Sequence, residues 1–478
     1  MADAFPISVK DKGIVAIDKR HRVRLGFTMG MGPALSGGHA RSCASAGALL
    51  GLLALMPPLG YGQYRLIGSI GSDTGDDRLA LWELTEDDEL VELDSLPPQQ
   101  FGIIDRTLVD PRGEWVYFSI DPGDIGEFVR VGADDKLELV QILDDNHYES
   151  LSPSLRPDGS GVVLAVTDEP GYYNPHYLQY YRATPQGLVP QGVSTEFNIE
   201  VNPVDYTAIT QWGEYTLVSV FDSVRRTHHL TPGGEIGLAT EDIYWESQES
   251  GFDPKTLATS RDGRLLIAAG VGNVRRAVSN WVEDDGTVSE RDSLFHEDFE
   301  DGLTLGYEGT VNTIIVSPHR DFVIFHANRP ELWELHPDGT FGDMLWRSDR
   351  EFTYGAHASL SADGRVLVTT QFVWLDDGQG GLYGTWAASI FRLGSLGEVL
   401  SENFIELPIN YRMDFVTRRA PGDVNGDGWI DAADIACLLN HLSGAPITNP
   451  VDFDNADVNR SGNLTEDDVQ ALVEVILN

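Results

Sequence analysis

Two stretches near the C-terminus space oxygen-bearing residues as a hard cation needs them. The run Asp423-Val-Asn-Gly-Asp-Gly-Trp-Ile-Asp-Ala-Ala-Asp434 puts Asp423, Asn425, Asp427, Asp431 and Asp434 at positions 1, 3, 5, 9 and 12 of a twelve-residue loop. Gly428 at position 6 permits the sharp turn, and the main-chain carbonyl of Trp429 serves position 7. Thirty-four residues on the pattern returns, with Asp457, Asn459, Ser461, the carbonyl of Asn463, Thr465 (in reach through a water) and Asp468. Six to eight oxygens satisfy Ca²⁺, so two calcium sites are expected. Ser461 stands where the first loop has Asp427, so the second loop carries one charge less and should bind more weakly. Each loop leads into an amphipathic helix. Ile435, Leu438, Leu439 and Leu442 line one face of the first, and Val469, Leu472, Val473, Ile476 and Leu477 line the second. Ile430 and Leu464, both at position 8, could pair the two loops across a short bridge.

Elsewhere the chain shows no G-x-S-x-G, no H-E-x-x-H and no P-loop. Gly270-Val-Gly272 lacks the third glycine of a dinucleotide turn. Histidines are scattered, with His147 and His357 near the starts of expected inner strands. Paired cations recur at Arg225-Arg226 and Arg275-Arg276, in a chain otherwise poor in positive charge. They should share an exposed, loop-rich face with Tyr172, Tyr173, His176 and Tyr177, and with Trp374, Tyr383 and Trp386. Arginine forks suit carboxylate or sulfate and flat rings suit sugar faces, so an acidic glycan is one candidate ligand. The bland alternative is that the arginines pair with local acids and the aromatics pack the loops.

The 478 residues carry 75 acidic and 33 basic side chains, a formal charge of −42. That balance excludes a nucleic-acid partner, which demands a basic footprint. Only two cysteines, Cys43 and Cys437, are present, which excludes a disulfide framework. Residues 1–62 read as a leader: KRHRVR at 19–24, Arg41, the apolar run Ala44–Met56, then Gly60-Tyr-Gly62. The apolar run is shorter than the ~18–20 residues that cross a bilayer. Met29 and Met31 are alternative starts. Cleavage after Gly62 would leave 26 basic and 72 acidic residues, a net −46. A secreted or extracytoplasmic location is expected, with no membrane span beyond the leader.

Positioning any site on residues 63–419 falls to a repeat of about fifty residues. Polar turns ending at Asp88, Asp135, Gly187, Gly234, Gly286, Gly339 and Gly397 recur at spacings of 47, 52, 47, 52, 53 and 58. A second turn series precedes strongly apolar runs, as at Asp110-Pro-Arg-Gly113, Arg156-Pro-Asp-Gly159, Gln211-Trp-Gly213, Arg261-Asp-Gly263, Ser317-Pro-His-Arg320 and Ala362-Asp-Gly364. Two hairpins per repeat make a four-stranded unit that cannot bury both faces alone, and radial stacking buries them. The expected fold is an all-β seven-bladed β-propeller plus a small all-α calcium-loop domain over 421–478, with two stacked sandwiches or a six- or eight-bladed ring as the alternatives. The first repeat supplies only three strands, and Ile409–Val416 is left over to complete it as the inner strand.

Segments such as SPSLRPDGSGVVLAV resemble the β-propeller repeats of the TolB and WD40-like families. Residues 421–478 resemble a type I dockerin, a duplicated EF-hand-like calcium module of secreted bacterial proteins. That resemblance implies docking onto a cohesin-like partner, often in polysaccharide breakdown. It also places partner recognition at Ala432-Ala433 and Glu466-Asp467, whose mismatch in charge and size argues against symmetric docking. A contact within the chain is the other use of the module, since the linker Arg418–Gly422 is short. The expected function is a secreted binding or adaptor protein. The alternative is a carbohydrate-active enzyme, a hydrolase or lyase, with its site on the loop-rich propeller face.

Overall fold

The structure is a computed structural model. It describes the strands between residues 64 and 416, most of 422–477, and short strands at 16–17, 23–24 and 59–60. The rest of 1–63 and connections such as 144–152, 168–175, 194–205, 245–252 and 296–312 lie outside the described residues. The chain divides into two units, Met1–Pro57 and Pro58–Asn478. In the first, Ala16–Ile17 pairs with Val23–Arg24.

Six four-stranded antiparallel sheets and one five-stranded sheet follow one another in the second unit. The first sheet combines Tyr64–Ile70, Arg78–Leu84 and Leu90–Ser95 with Tyr411–Val416. The second runs from Ile103 to Leu143, the third from Ser154 to Val193, the fourth from Tyr206 to Tyr244 and the fifth from Asp253 to Phe295. The sixth runs from Thr313 to Arg347 and the last from Tyr354 to Leu407. This is an all-β propeller followed by a small helical region.

The expectation of four-stranded units throughout is corrected at the fourth sheet. Its outer edge is split, so Ile236–Ala239 and Ile243–Tyr244 both pair with Val224–Leu230. Only four residues long, the first piece leaves the Val224-Arg225 end of that strand open, and the second piece takes it.

The turn series has a backbone cause. Asp88 and Asp135 have φ of 60° and 62°, and Gly187, Gly234, Gly339 and Gly397 are likewise at positive φ. So are Gly113, Gly159, Gly263 and Gly364 of the second series. Each hairpin needs a left-handed residue where the turn rejoins the strand, which glycine adopts freely and aspartate tolerates. Gly213, Gly286 and Arg320 lie outside the described residues.

Where its side chains are described, the second strand of a sheet lies between two neighbouring sheets and is largely apolar on both faces. Leu265–Ala269 and Phe322–Phe325 are almost completely buried. Alternate residues serve opposite neighbours. Ile67, Leu81, Val116 and Val129 join the first sheet to the second. Trp115, Phe128, Val162 and Tyr181 join the second to the third, and Val163, Tyr180, Ile209 and Leu230 the third to the fourth. Ile267, Phe325 and Trp333 link the fifth to the sixth, and Ile324, Leu332, Leu367 and Phe391 the sixth to the last. Leu66, Trp82, Val368, Ile390, Met413 and Phe415 then join the last sheet back to the first. Polar clasps repeat around the rim. The amide of Leu137 donates to Asp94 Oδ2 at 2.9 Å, that of Leu188 to Gln141 Oε1 at 2.6 Å and that of Phe341 to Asp292 Oδ2 at 2.9 Å.

One buried carboxyl breaks this pattern of satisfied groups. Glu127 is 1% exposed, and its Oε1 is buried without a hydrogen-bond partner. It alternates with Phe128 and so shares the face of Val129 and Val131, which pack on the first sheet. Burial pushes its carboxyl up to about 7. The native state therefore holds a proton that the unfolded chain releases above pH 4.5. Its contribution is fully present below that pH and is lost as pH rises to about 7. Relative to Glu127→Gln, the wild-type chain should lose about 3 kcal/mol of stability across this window. Chemical denaturation at both ends of the window checks this, and parallel pH profiles for the two proteins would rule out the protonated carboxyl.

Candidate functional site

The helical region is built from Ala432–Leu442, the short Phe453–Ala456 and Glu466–Leu477. The two longer helices pack together, with Leu438 and Leu472 fully buried. Leu439, expected on the apolar face, is 38% exposed instead. A helix advances about 100° per residue, so Leu439 cannot face the same way as its neighbour Leu438.

The second loop is described at Asp457, Asn459, Ser461, Asn463, Thr465 and Asp468. Its oxygens gather around its own amides. Ser461 N donates to Asp457 Oδ1 at 2.7 Å and to Asn459 Oδ1 at 2.9 Å. Asp468 is fully buried and accepts from Asn459 N (3.2 Å) and Thr465 N (2.9 Å), tying position 12 to positions 3 and 9. The Ser461 hydroxyl donates to the Asn463 carbonyl at 3.0 Å, so two expected ligands are engaged with each other. An all-oxygen donor set folded in this way fits a hard cation. In the first loop Asp423 and Asp434 are fully buried, and Val424 N donates to Asp434 Oδ1 at 2.7 Å. Asn455 Nδ2 donates to the Asp423 carbonyl at 3.2 Å, which links the first loop to the short helix before the second. Asn425, Asp427 and Asp431 lie outside the described residues. For Trp429 the backbone alone is described, within the strand Trp429–Ile430.

The bridge expected between Ile430 and Leu464 is not the one formed. Ile430 pairs with Leu59, and Trp429 with Gly60. A two-residue edge at position 8 accepts whichever extended segment reaches it, and here that segment comes from just before the propeller.

On the propeller the expected site residues separate. Arg225 and Arg226 lie within the strand Val224–Leu230, and Arg275 and Arg276 within Arg275–Val282, not in the connecting turns. Val224-Arg-Arg-Thr-His-His-Leu230 contains no glycine or proline to end a strand, so pairing extends to the arginines. Their side chains lie outside the described residues, as do His147, Tyr172 and Tyr173. His176 opens the strand His176–Thr184, and Tyr177 packs against the core between the second and third sheets.

Trp374, Tyr383 and Trp386 are likewise in strands, on a long hairpin formed by Val366–Asp376 and Leu382–Leu393. Phe372 stands between the two tryptophans, edge-on to each with ring centroids 5.6 Å apart. Gly384 opposite Trp374 makes room, since a Cβ there would meet the Phe372 ring at 2.3 Å. Trp374 is 54% exposed and presents an apolar surface of the kind a sugar face covers. Tyr383 donates to Glu406 at 3.3 Å. No described cation accompanies these rings among the residues expected to bind with them.

His357 is placed as expected, on the inner strand Tyr354–Leu360 of the last sheet. Its Nε2 lies 3.0 Å from Asp414 Oδ1, on the strand that closes the first sheet. Asp414 was missed in the sequence because it lies inside the leftover strand, 57 residues from its partner.

A β-propeller followed by a small helical module with an oxygen-lined loop is the class that this fold and site define. Residues 421–477 match the model of the dockerin type I domain, a calcium-binding domain. No curated protein matches the chain. Among solved structures, a Lactobacillus plantarum protein superposes with a TM-score of 0.54 at 12% identity, covering 74% of this chain and 99% of that one. The periplasmic gluconolactonase of Pseudomonas aeruginosa does so with a TM-score of 0.52 at 12% identity, covering 73% and 99%. At this identity the likeness shows the propeller fold alone. Among the described residues no helix is long and apolar enough to cross a membrane.

Proposed function

We propose that this protein is a secreted adaptor. Its propeller presents a ligand-binding surface. Its C-terminal module, with two calcium sites, tethers that surface to a cohesin-type partner. The observation that carries this reading is the dockerin type I match over 421–477. The oxygen-lined second loop supports it, and the leader-like 1–62 supports export. A carbohydrate-active enzyme is the second reading, favoured by the hydrogen bond between His357 and Asp414 on adjacent inner strands.

The test is retention of the full chain on an immobilised cohesin module in Ca²⁺ and in chelator. Retention in Ca²⁺ that disappears on chelation and returns on recalcification supports the adaptor. Retention in neither condition points to the module serving a contact within the chain.

A further inference from the structure

The seam between the last and first sheets differs at its rim from three of the other seams. At those three, a side chain in one outer strand accepts from an amide at the start of the next. Asp94, Gln141 and Asp292 do so for Leu137, Leu188 and Phe341. Counted from their turns, the three acceptors hold the same register, opposite Leu81, Phe128 and Ser279. Asn403, opposite Ile390, holds that place in the last sheet, and Leu90 starts the outer strand of the first. Among the described residues no such bond joins Asn403 to Leu90. The cause is the number of acceptors. Asp292 gives one oxygen to Ser293 N at 2.8 Å and the other to Phe341 N at 2.9 Å. Asn403 has a single acceptor oxygen, which takes Phe404 N at 3.0 Å, and its amide nitrogen can only donate.

A groove of about 540 Å³ opens where this clasp is missing. That volume lies within the roughly 300–1,000 Å³ typical of ligand sites. Its floor is Trp82, Leu90 and Ile405, from the core that joins these two sheets, with Leu407 beside them. Its wall carries the carboxyls of Asp87, Asp88, Glu89 and Glu92 and no cation. Two of the four are compensated from outside the groove. Arg78 forks onto both oxygens of Glu92, at 2.7 and 2.9 Å. Arg392 of the last sheet donates Nε to Asp88 Oδ1 at 2.9 Å and Nη2 to the Thr85 carbonyl at 3.2 Å. Its guanidinium also lies over the Tyr64 ring, 5.5 Å from the centroid. The turn of the first sheet is thus anchored to the last sheet, and the groove keeps its shape. Asp87 and Glu89 are exposed, and among the described residues their side chains have no partner.

We propose that this groove binds an extended segment of a partner protein in which aliphatic residues alternate with lysine or arginine. The chemistry selects that class. Side chains of an extended chain alternate, so the aliphatic ones that cover the floor leave the cations toward the rim, where Asp87 and Glu89 stand. The Leu90 amide, without the acceptor its counterparts have, and Asn403 Nδ2 offer donors to peptide carbonyls, which a hydrocarbon ligand lacks. An anionic segment would meet two uncompensated carboxylates and a chain of net charge −42, and the same field attracts a cationic one. The proposal rests on the propeller presenting a ligand-binding surface, and it involves no residue of the docking module.

The experiment titrates the full-length protein in Ca²⁺, by calorimetry, with the acetylated and amidated peptides KLRLKL, KSRSKS and ELDLEL. KLRLKL should bind, KSRSKS should bind at least about fivefold more weakly, and ELDLEL should not bind. Asp87→Asn combined with Glu89→Gln should weaken KLRLKL by about fivefold. Glu402→Gln combined with Glu406→Gln makes the same change of charge on the opposite face of the last sheet's outer strand, and should leave the affinity unchanged. Asn403→Asp separates the groove from charge alone. Its second oxygen can accept the Leu90 amide, as Asp292 accepts that of Phe341, and so close the seam. This variant should melt higher and bind KLRLKL about tenfold more weakly, although it adds a negative charge. Tighter or unchanged binding in Asn403→Asp, an equal loss in the Glu402 and Glu406 control, or KSRSKS binding as well as KLRLKL would each overturn the proposal. Failure of KLRLKL to bind, with cohesin retention intact, would overturn the groove and leave the tethering role of the module standing.

Discussion

Gly68→Ala should unseat the strand that closes the propeller and cost the protein several kcal/mol. Gly68 lies in the middle of Tyr64–Ile70, opposite Met413 on one side and Ala80 on the other. A Cβ at this position would fall 1.6 Å from the carbonyl oxygen of Arg412 and 2.9 Å from Met413 Cα. Both are backbone, so no side-chain rotation relieves the clash, and the closing strand must move. Met413 is fully buried and Phe415 is 8% exposed, in the cluster that joins the last sheet to the first. Moving that strand opens the cluster and breaks the ladder from Tyr411 to Val416 together. Backbone overpacking with loss of core contacts belongs to the most damaging class of substitutions, at about 3–5 kcal/mol. Gly237→Ala is the matched control. It is also in a strand, and its nearest neighbours would lie 3.4 Å away, so its effect should stay within about 1 kcal/mol. Thermal and denaturant melts of the two variants compare them directly, and equal losses would mean that the close approach at Gly68 is not maintained in solution.

That closing strand shows how far the sequence could be read. A first repeat with three strands and a leftover apolar segment at the far end predict the pairing of Tyr411–Val416 with Tyr64–Ile70. The turn series was legible because left-handed backbone leaves a compositional trace, and Asp88, Asp135 and the glycines carry it. Each such signal is local, set within one turn or one strand. The His357–Asp414 pair was half legible for the converse reason. His357 could be placed near an inner strand by counting, but Asp414 is an ordinary strand residue until the ring brings the last and first sheets together. The arginine pairs were expected in turns and lie in strands because a strand can continue through Val224-Arg225-Arg226 when a partner edge is free, and the split outer edge of the fourth sheet supplies one. The partner of Ile430 was beyond reach too. Position 8 of a calcium loop specifies an extended edge but not which segment pairs with it.

Chelation of calcium should have the larger effect on the C-terminal module, unravelling its helices while the propeller stays folded. Asp423, Asp434 and Asp468 are all fully buried. Carboxylates held out of water repel one another and lose hydration, and a divalent cation among them reverses both effects. Without the ion the amides that Asp468 accepts from Asn459 and Thr465 remain its main compensation. The helices Ala432–Leu442 and Glu466–Leu477 each begin at the end of a loop, so disorder in the loop frees the first helical turn. In structural sites of this kind the binding energy is folding energy. Circular dichroism of the full chain should lose most of its helical signal in chelator and recover it with added Ca²⁺, and the β signal should persist. Calorimetry should then resolve two classes of site. Asp423→Ala should abolish the tighter class, because it removes position 1 of the loop with more aspartates. Asp457→Ala should abolish the weaker class, in which Ser461 donates its proton to the neighbouring Asn463 carbonyl. A single site, or helical content indifferent to chelator, would show that the second loop holds its shape by its own hydrogen bonds and binds no ion.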